Sequence, residues 1–188
     1  MTCRQRPFVL LDRDGTLIKE QGYISDPEQV VLFPHTVEGL LIFRRMGFGL
    51  LVITNQSGIG RGYFTVSDYG KVTSRLRLLL EESEVLLDGT LMCPHTPEEH
   101  CSCRKPKTGL VEKAAKEFRF DPKQCIVIGD KLSDMKLAQN LGCRSILVRT
   151  GYGGDTEKNY PRIWDDAVEN ILEAASLVEA ETGKGEGS

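Results

Sequence analysis

The sequence predicts an α/β fold: a doubly wound, parallel, Rossmann-like sheet in a single domain without a cap domain. Three observations predict it. Apolar runs at Val9-Leu10-Leu11, Leu50-Leu51-Val52-Ile53, Ile126-Val127-Ile128 and Ile146-Leu147-Val148 lack the in–out alternation of half-exposed strands, so they read as strands covered on both faces. Helical patterns separate these runs, and strand–helix–strand order calls for crossovers and a parallel sheet. Three of the runs end in polar residues (Asp12 and Asp14, Thr54 and Asn55, Asp130) at the carboxyl ends, where such sheets bind ligands near a topological switch point.

The elements follow in order. The first strand stops at Asp12, residues 19–28 are polar, and a short apolar stretch occupies 30–33. A helix is expected after Pro34, with Val37, Leu40, Leu41 and Phe43 on one face and Met46-Gly47 closing it. The second strand spans 49–55. Residues 65–82 read as a helix with Val72, Leu76, Leu79 and Leu80 inward, opened by a capping box between Thr65 and Asp68. A strand at 86–92 leads into 93–106, which has no period. A helix at 109–118, a strand at 125–130, a helix at 134–140, a strand at 145–149 and a closing helix at 167–180 complete the pattern. The expected organisation is one domain over 1–180, with a special loop at 93–103 and a polar tail at 181–188.

Size and composition bound the function. A chain of 188 residues can bury one substantial core, and 40% hydrophobic with 27% charged residues is ordinary for a globular protein. A net charge of -3 argues against a nucleic-acid-binding surface. No stretch approaches the roughly 20 apolar residues of a membrane span, and the N-terminus carries no long apolar leader, so the cytoplasm is the expected compartment. A monomer without nucleic-acid or membrane partners is expected. In a reducing compartment the six cysteines are better read as metal ligands, catalytic groups or small buried residues than as disulfides. Cys3, Cys125 and Cys143 read as small apolar residues.

The chemistry concentrates at Asp12-Arg13-Asp14-Gly15-Thr16. In an extended segment residues two apart point to one side, so both carboxylates face one point while Arg13 faces away and reads as structural. Two like charges held together are costly unless a cation or a reaction requires them, and an aspartate can form an aspartyl-phosphate.

Together with Thr54-Asn55-Gln56, Lys105-Pro106 and Gly129-Asp130-Lys131-Leu132-Ser133-Asp134, this segment resembles the four ordered motifs of the haloacid dehalogenase-like phosphatases. Within them, the cysteine-bearing loop and the segment from Thr54 through Ser57-Gly58-Ile59-Gly60-Arg61-Gly62 resemble the D-glycero-D-manno-heptose-1,7-bisphosphate 7-phosphatases, whose close relatives are the histidinol-phosphate phosphatases. The resemblance implies Asp12 as nucleophile, Asp14 as acid and base, and Thr54 and Lys105 as binders of the transferring phosphoryl group. It implies Mg2+ held by the carboxylates of Asp12 and Asp130 and the backbone carbonyl of Asp14, with Asp134 supporting the metal or Lys105. Substrate contacts map onto Glu20, Gln21, Gly22, Tyr23, Asn55, Gln56, Ser57, Arg104 and Lys131, and Arg104 with Lys131 is expected to receive the second phosphate of a sugar bisphosphate. Ser57, Arg61-Gly62 and Lys131 follow the heptose pattern. The short His95 to Cys101 spacing and Lys105-Pro106-Lys107 also suit the histidinol-phosphate branch, which is the runner-up. A nucleic-acid 3'-phosphatase and a non-catalytic zinc module are weaker alternatives, since no basic groove or aromatic–basic stripe is visible.

Cys93, His95, Cys101 and Cys103 place three thiols and an imidazole within one short loop, a set that fits a closed structural Zn2+ site. His100 competes with His95 for the fourth place, and a redox pair at Cys101 and Cys103 is the alternative. With little apolar content, the loop needs metal in place of a core.

Overall fold

Strands β1 (Phe8–Leu11), β2 (Gly49–Asn55), β3 (Gly89–Cys93), β4 (Ile126–Gly129), β5 (Arg144–Val148) and β6 (Asp166–Val168) form one sheet in the order β3-β2-β1-β4-β5-β6. Every neighbouring pair is parallel. The structure is a computed structural model and describes residues 5–183. From β1 the chain moves outward through β2 and β3, then returns to β4 on the other side. The reversal lies between β1 and β4, so the tips of those two strands flank the crevice where such sheets bind ligands.

Both faces of the sheet are buried, which is why its strands are apolar throughout. Val9, Leu11, Leu50, Val52, Ile128, Ile146 and Val148 point into one core layer. Helices α1 (Thr36–Arg45), α3 (Val66–Glu81) and α7 (Ile171–Gly183) cover that face with Leu40, Phe43, Leu76, Leu80, Ile171 and Val178. The alternate residues Phe8, Leu10, Leu51, Ile53 and Val127 enter the opposite layer. There, α4 (Gly109–Phe118) and α5 (Leu132–Leu141) contribute Leu110, Val111, Ala114, Leu137 and Ala138. The capping box that opens α3 forms as expected, with the Thr65 hydroxyl accepting from the Asp68 amide and the Asp68 carboxylate accepting from the Thr65 amide. The α/β class, the parallel sheet and the lack of a cap among the described residues agree with the sequence prediction.

Four elements differ from it. Asp166–Val168 is an edge strand rather than the start of the closing helix, which begins only at Ile171. Three residues are too few to show a period, and the pairing with β5 decides their conformation. α2 (Ser57–Gly60) and α6 (Gly153–Asn159) form where glycines mask helical character in the sequence. α7 continues to Gly183, into the stretch read as tail. Residues 184–188 and Cys3 lie outside the described residues.

Candidate active site

Asp12 follows the last residue of β1, and its amide donates to the Ile128 carbonyl of β4, which fixes it at the centre of the sheet's carboxyl rim. It is buried, and its Oδ1 lies 2.8 Å from Lys105 Nζ. The same ammonium is 2.7 Å from Asp134 Oδ1 and donates to the Ile53 carbonyl of β2 at 2.6 Å. One lysine therefore bridges groups from β1, β2 and the start of α5. Burial alone would raise the Asp12 pKa, but the charges of Lys105 and Lys131 outweigh it and hold the carboxyl below its ordinary value. Burial would lower the Lys105 pKa, yet Asp12 and Asp134 drive it upward. Both groups are charged near neutrality.

Asp130, just past β4, is fully buried. Its backbone neighbours crowd it: a side chain at Gly15, which has φ +89°, would stand 2.0 Å from Asp130 Oδ2, and one at Gly151 would stand 2.4 Å from it. Only glycine fits these two places. The Tyr152 amide donates to Asp130 Oδ2 at 2.9 Å, while Oδ1 has no hydrogen-bond partner. Burial, followed by the Asp12 charge, pushes the Asp130 pKa up to about 8. Asp12, Asp130 and Asp134 each offer an oxygen within 4.8 Å of the others, so the three can hold a metal ion. An unpartnered buried oxygen amid crowded carboxylates fits a hard cation that takes oxygen ligands.

Asp14 sits beside them, buried, with an environment of its own. Its Oδ2 accepts from Gln56 Nε2 at 2.8 Å, and Arg13 pairs with it through Nη2 at 2.9 Å. Burial raises its pKa against the opposing pull of Arg13. The Arg13 side chain thus does not turn away as the strand alternation predicts. The strand ends at Leu11, and beyond it the two-residue period no longer governs direction.

A cleft of about 410 Å3 opens above these groups, lined among others by Asp12, Asp14, Thr54, Lys105 and Lys131. Glu20, Gly22, Tyr23, Asn55, Gln56, Ser57 and Arg104, expected as substrate contacts, also line it. Gln21 does not; its amide turns to the Gln29 carbonyl. Lys131 pairs with Glu20 at 2.9 Å, donates to the Asp14 carbonyl at 3.3 Å and lies 5.1 Å from the Tyr152 ring centre. Asn55 is bonded in both directions to the backbone of Lys105, which ties the end of β2 to the loop that carries the lysine. Thr150, Tyr152 and Thr156 were missed in the sequence. Thr150 Oγ1 donates to the Gly15 carbonyl and Thr156 Oγ1 to the Asp130 carbonyl, both buttressing the rim. The available signal was position: residues 150–154, glycine-rich, follow the carboxyl end of β5.

The last residue of β3 and the loop after it bring four donors together. His95 Nδ1 is 3.2 Å from Cys103 Sγ and 3.6 Å from Cys93 Sγ; the three sulfurs are 3.3, 3.4 and 3.5 Å apart. These five edges are near the roughly 3.8 Å expected of a tetrahedron with metal–sulfur bonds of about 2.3 Å, and the sixth, His95 to Cys101, is within 4.8 Å. Burial pushes the Cys93 thiol up to about 12, so metal binding there must displace a proton. His100 is not in the cluster; its carbonyl accepts from Lys107. Arg104 Nη1 donates to the His95 carbonyl at 3.3 Å, so this arginine spans from the cluster to the cleft.

A buried carboxylate at the tip of the central parallel strand, a lysine against it and a second acid two residues on define a haloacid dehalogenase-like hydrolase, and the comparisons agree. A sequence family described as HAD-hydrolase-like matches residues 102–174. The chain is 39% identical over 150 residues to the D-glycero-beta-D-manno-heptose-1,7-bisphosphate 7-phosphatase of Haemophilus influenzae, covering 76% of this chain and 82% of that one. It is 34% identical over 181 residues to the enzyme of that name from Pasteurella multocida, covering 90% and 95%. A crystal structure of D,D-heptose 1,7-bisphosphate phosphatase from B. bronchiseptica, complexed with magnesium and phosphate, superposes with a TM-score of 0.86 at 26% identity, covering 93% and 99%. The chain belongs to the heptose-1,7-bisphosphate 7-phosphatase family of phosphoric monoester hydrolases.

Proposed function

We propose that the chain removes the 7-phosphate of D-glycero-D-manno-heptose 1,7-bisphosphate through a phosphorylated Asp12, with Mg2+ as the catalytic ion. The observation that carries this reading is the ionised Asp12 carboxylate, held at the floor of the cleft by Lys105 at 2.8 Å. The substrate is taken from the names of the relatives.

Asp12 attacks phosphorus, a bond forms between its oxygen and phosphorus, and the bond from phosphorus to the sugar oxygen breaks. The proton on Asp14 passes to that departing oxygen; burial raises the Asp14 pKa and so favours its holding one. Water next attacks the same phosphorus, Asp14 takes its proton, and the bond to Asp12 breaks, releasing inorganic phosphate. Thr54 and Lys105 hold the phosphoryl oxygens. Asp12, Asp130 and the Asp14 carbonyl would hold Mg2+, with Asp134 supporting. When bound, the ion offsets the repulsion between an anionic nucleophile and an anionic ester. Arg104 and Lys131 receive the second phosphate, since their charges face the cleft from the side of the Cys/His loop and of α5.

Cys93, His95, Cys101 and Cys103 hold a structural Zn2+; the compact four-donor geometry supports it. Five cysteines without a disulfide among the described residues suit a reducing compartment and favour the cytoplasm; no described helix is long and apolar enough to cross a membrane.

The test is phosphate release, with Mg2+, from heptose 1,7-bisphosphate, fructose 1,6-bisphosphate and histidinol phosphate side by side. The heptose ester is expected to give the highest kcat/KM. A higher value on histidinol phosphate overturns the substrate assignment, and no release from any of them overturns the phosphatase reading.

A further inference from the structure

We propose that Arg13 is the positioning residue for Asp14, holding one carboxylate oxygen still so that the other delivers the proton to the leaving group. The inference rests on the phosphatase reading above and concerns a residue that the sequence pattern would leave out of the site.

Arg13 is 1% exposed, a full positive charge inside the protein. Burying a guanidinium is costly unless it is paired. Its Nε lies 3.1 Å from both Asp14 oxygens and its Nη2 2.9 Å from Oδ2. Its carbon stands 5.6 Å from the ring centre of Tyr69, a buried residue of α3, which gives the cation an aromatic wall. Nη1 is buried without a partner, so the side chain sits here despite an unmet donor.

The carboxylate is held asymmetrically. Oδ2 takes Arg13 Nη2 at 2.9 Å and Gln56 Nε2 at 2.8 Å, besides its share of Arg13 Nε. Oδ1 has only the Nε contact. Oδ2 is thus occupied by donors, and Oδ1 carries the proton that moves. Gln56 Nε2 also lies 2.9 Å from Thr54 Oγ1, so the clamp is continuous with the wall facing the phosphoryl group. Asp12 pairs with Lys105, which it shares with Asp134, whereas Asp14 pairs with Arg13. Only the second pair bears on the leaving group.

That distinction supplies the test. Heptose 1,7-bisphosphate loses an alkyl oxygen that needs a proton; p-nitrophenyl phosphate loses an oxygen that departs without one. In Arg13→Met, kcat/KM is expected to fall about 10²-fold on the sugar ester and less than about threefold on the nitrophenyl ester. Arg13→Lys, which keeps charge without the fork, is expected to fall between. An equal loss on both esters, or no loss on the sugar ester, overturns the proposal. If Arg13→Met does not fold, Arg13→Met/Asp14→Asn removes both buried charges at once. This double variant is expected to match Asp14→Asn alone on the sugar ester, and a further large loss means that Arg13 acts elsewhere. A wild-type chain that hydrolyses neither ester sinks the phosphatase reading itself, an outcome separate from all of these.

Discussion

Two clusters in this molecule can take a metal, and they are built in opposite ways. The carboxylate rim draws Asp12 from the tip of β1, Asp130 from beyond β4 and Asp134 from α5, so the folded sheet assembles it. Lys105 reaches Asp12 across 93 residues of sequence. The Cys/His cluster draws its four donors from one short stretch, Cys93 at the end of β3 and the other three from the loop after it, and its cysteines rest against one of the sheet's core layers. The first site exists because the core exists. The second is local, and the donors themselves must hold the loop's shape once a metal joins them. On the proposed reading, metal at the rim would serve chemistry and metal at the loop would serve structure.

The largest expected effect separates chemistry from folding. Asp12→Asn is expected to lower kcat by at least about 10³-fold while thermal unfolding stays within a few degrees of wild type, since the shape barely changes. Activity and calorimetry on one preparation check it; a collapse of stability would mean that the rim holds up the sheet. Cys103→Ser is expected to do the reverse in kind. Bound zinc, read by elemental analysis, should drop from about one per chain to near none, and Tm should fall by about 10 °C. Unchanged Tm would erase the contrast drawn here.

Arg104 connects the two regions, and its substitution sharpens the comparison. Arg104→Ala is expected to cost about tenfold in kcat/KM on the bisphosphate and much less on a monophosphate of the same sugar. Equal losses would show that it serves the Cys/His loop rather than the second phosphate. The smallest effect comes from a position remote from both regions. Thr65→Ala removes the cap of α3 and is expected to cost about 1 kcal/mol of stability with kcat unchanged. The same cap has a pH signature. Hydrogen bonds from Thr65, followed by one from Lys71, hold the Asp68 pKa down at about 2 against an ordinary 3.8. A depressed carboxyl adds stability above its unfolded value, and the gain fades as pH falls from about 4 through 2. Denaturation midpoints of wild type and Asp68→Asn should converge over that window.

Most of the sheet was legible because both of its faces are covered, so every central strand carries an unbroken apolar signature. The site residues were legible because they stand at strand ends and in ordered motifs. What escaped did so for physical reasons. Asp166–Val168 is a strand only through its partner, since three residues cannot declare a period. The Arg13 contact escaped because strand alternation was carried past Leu11, where the chain already turns. Thr150 and Tyr152 hold the rim through a hydroxyl and a backbone amide, and no side-chain motif marks an amide donor.

The placement of β1 has a consequence of its own. Leu11 is matched with Val52 on one flank and Ile128 on the other. A slip of the strand by a single residue would move Asp12 along the rim away from Lys105 and exchange the side chains of β1 between two differently packed core layers. Flanks on both sides forbid that slip. The innermost strand thus acts as a lock on the polarity of the cleft, and a nucleophile at its tip is sited where the fold has least freedom to err.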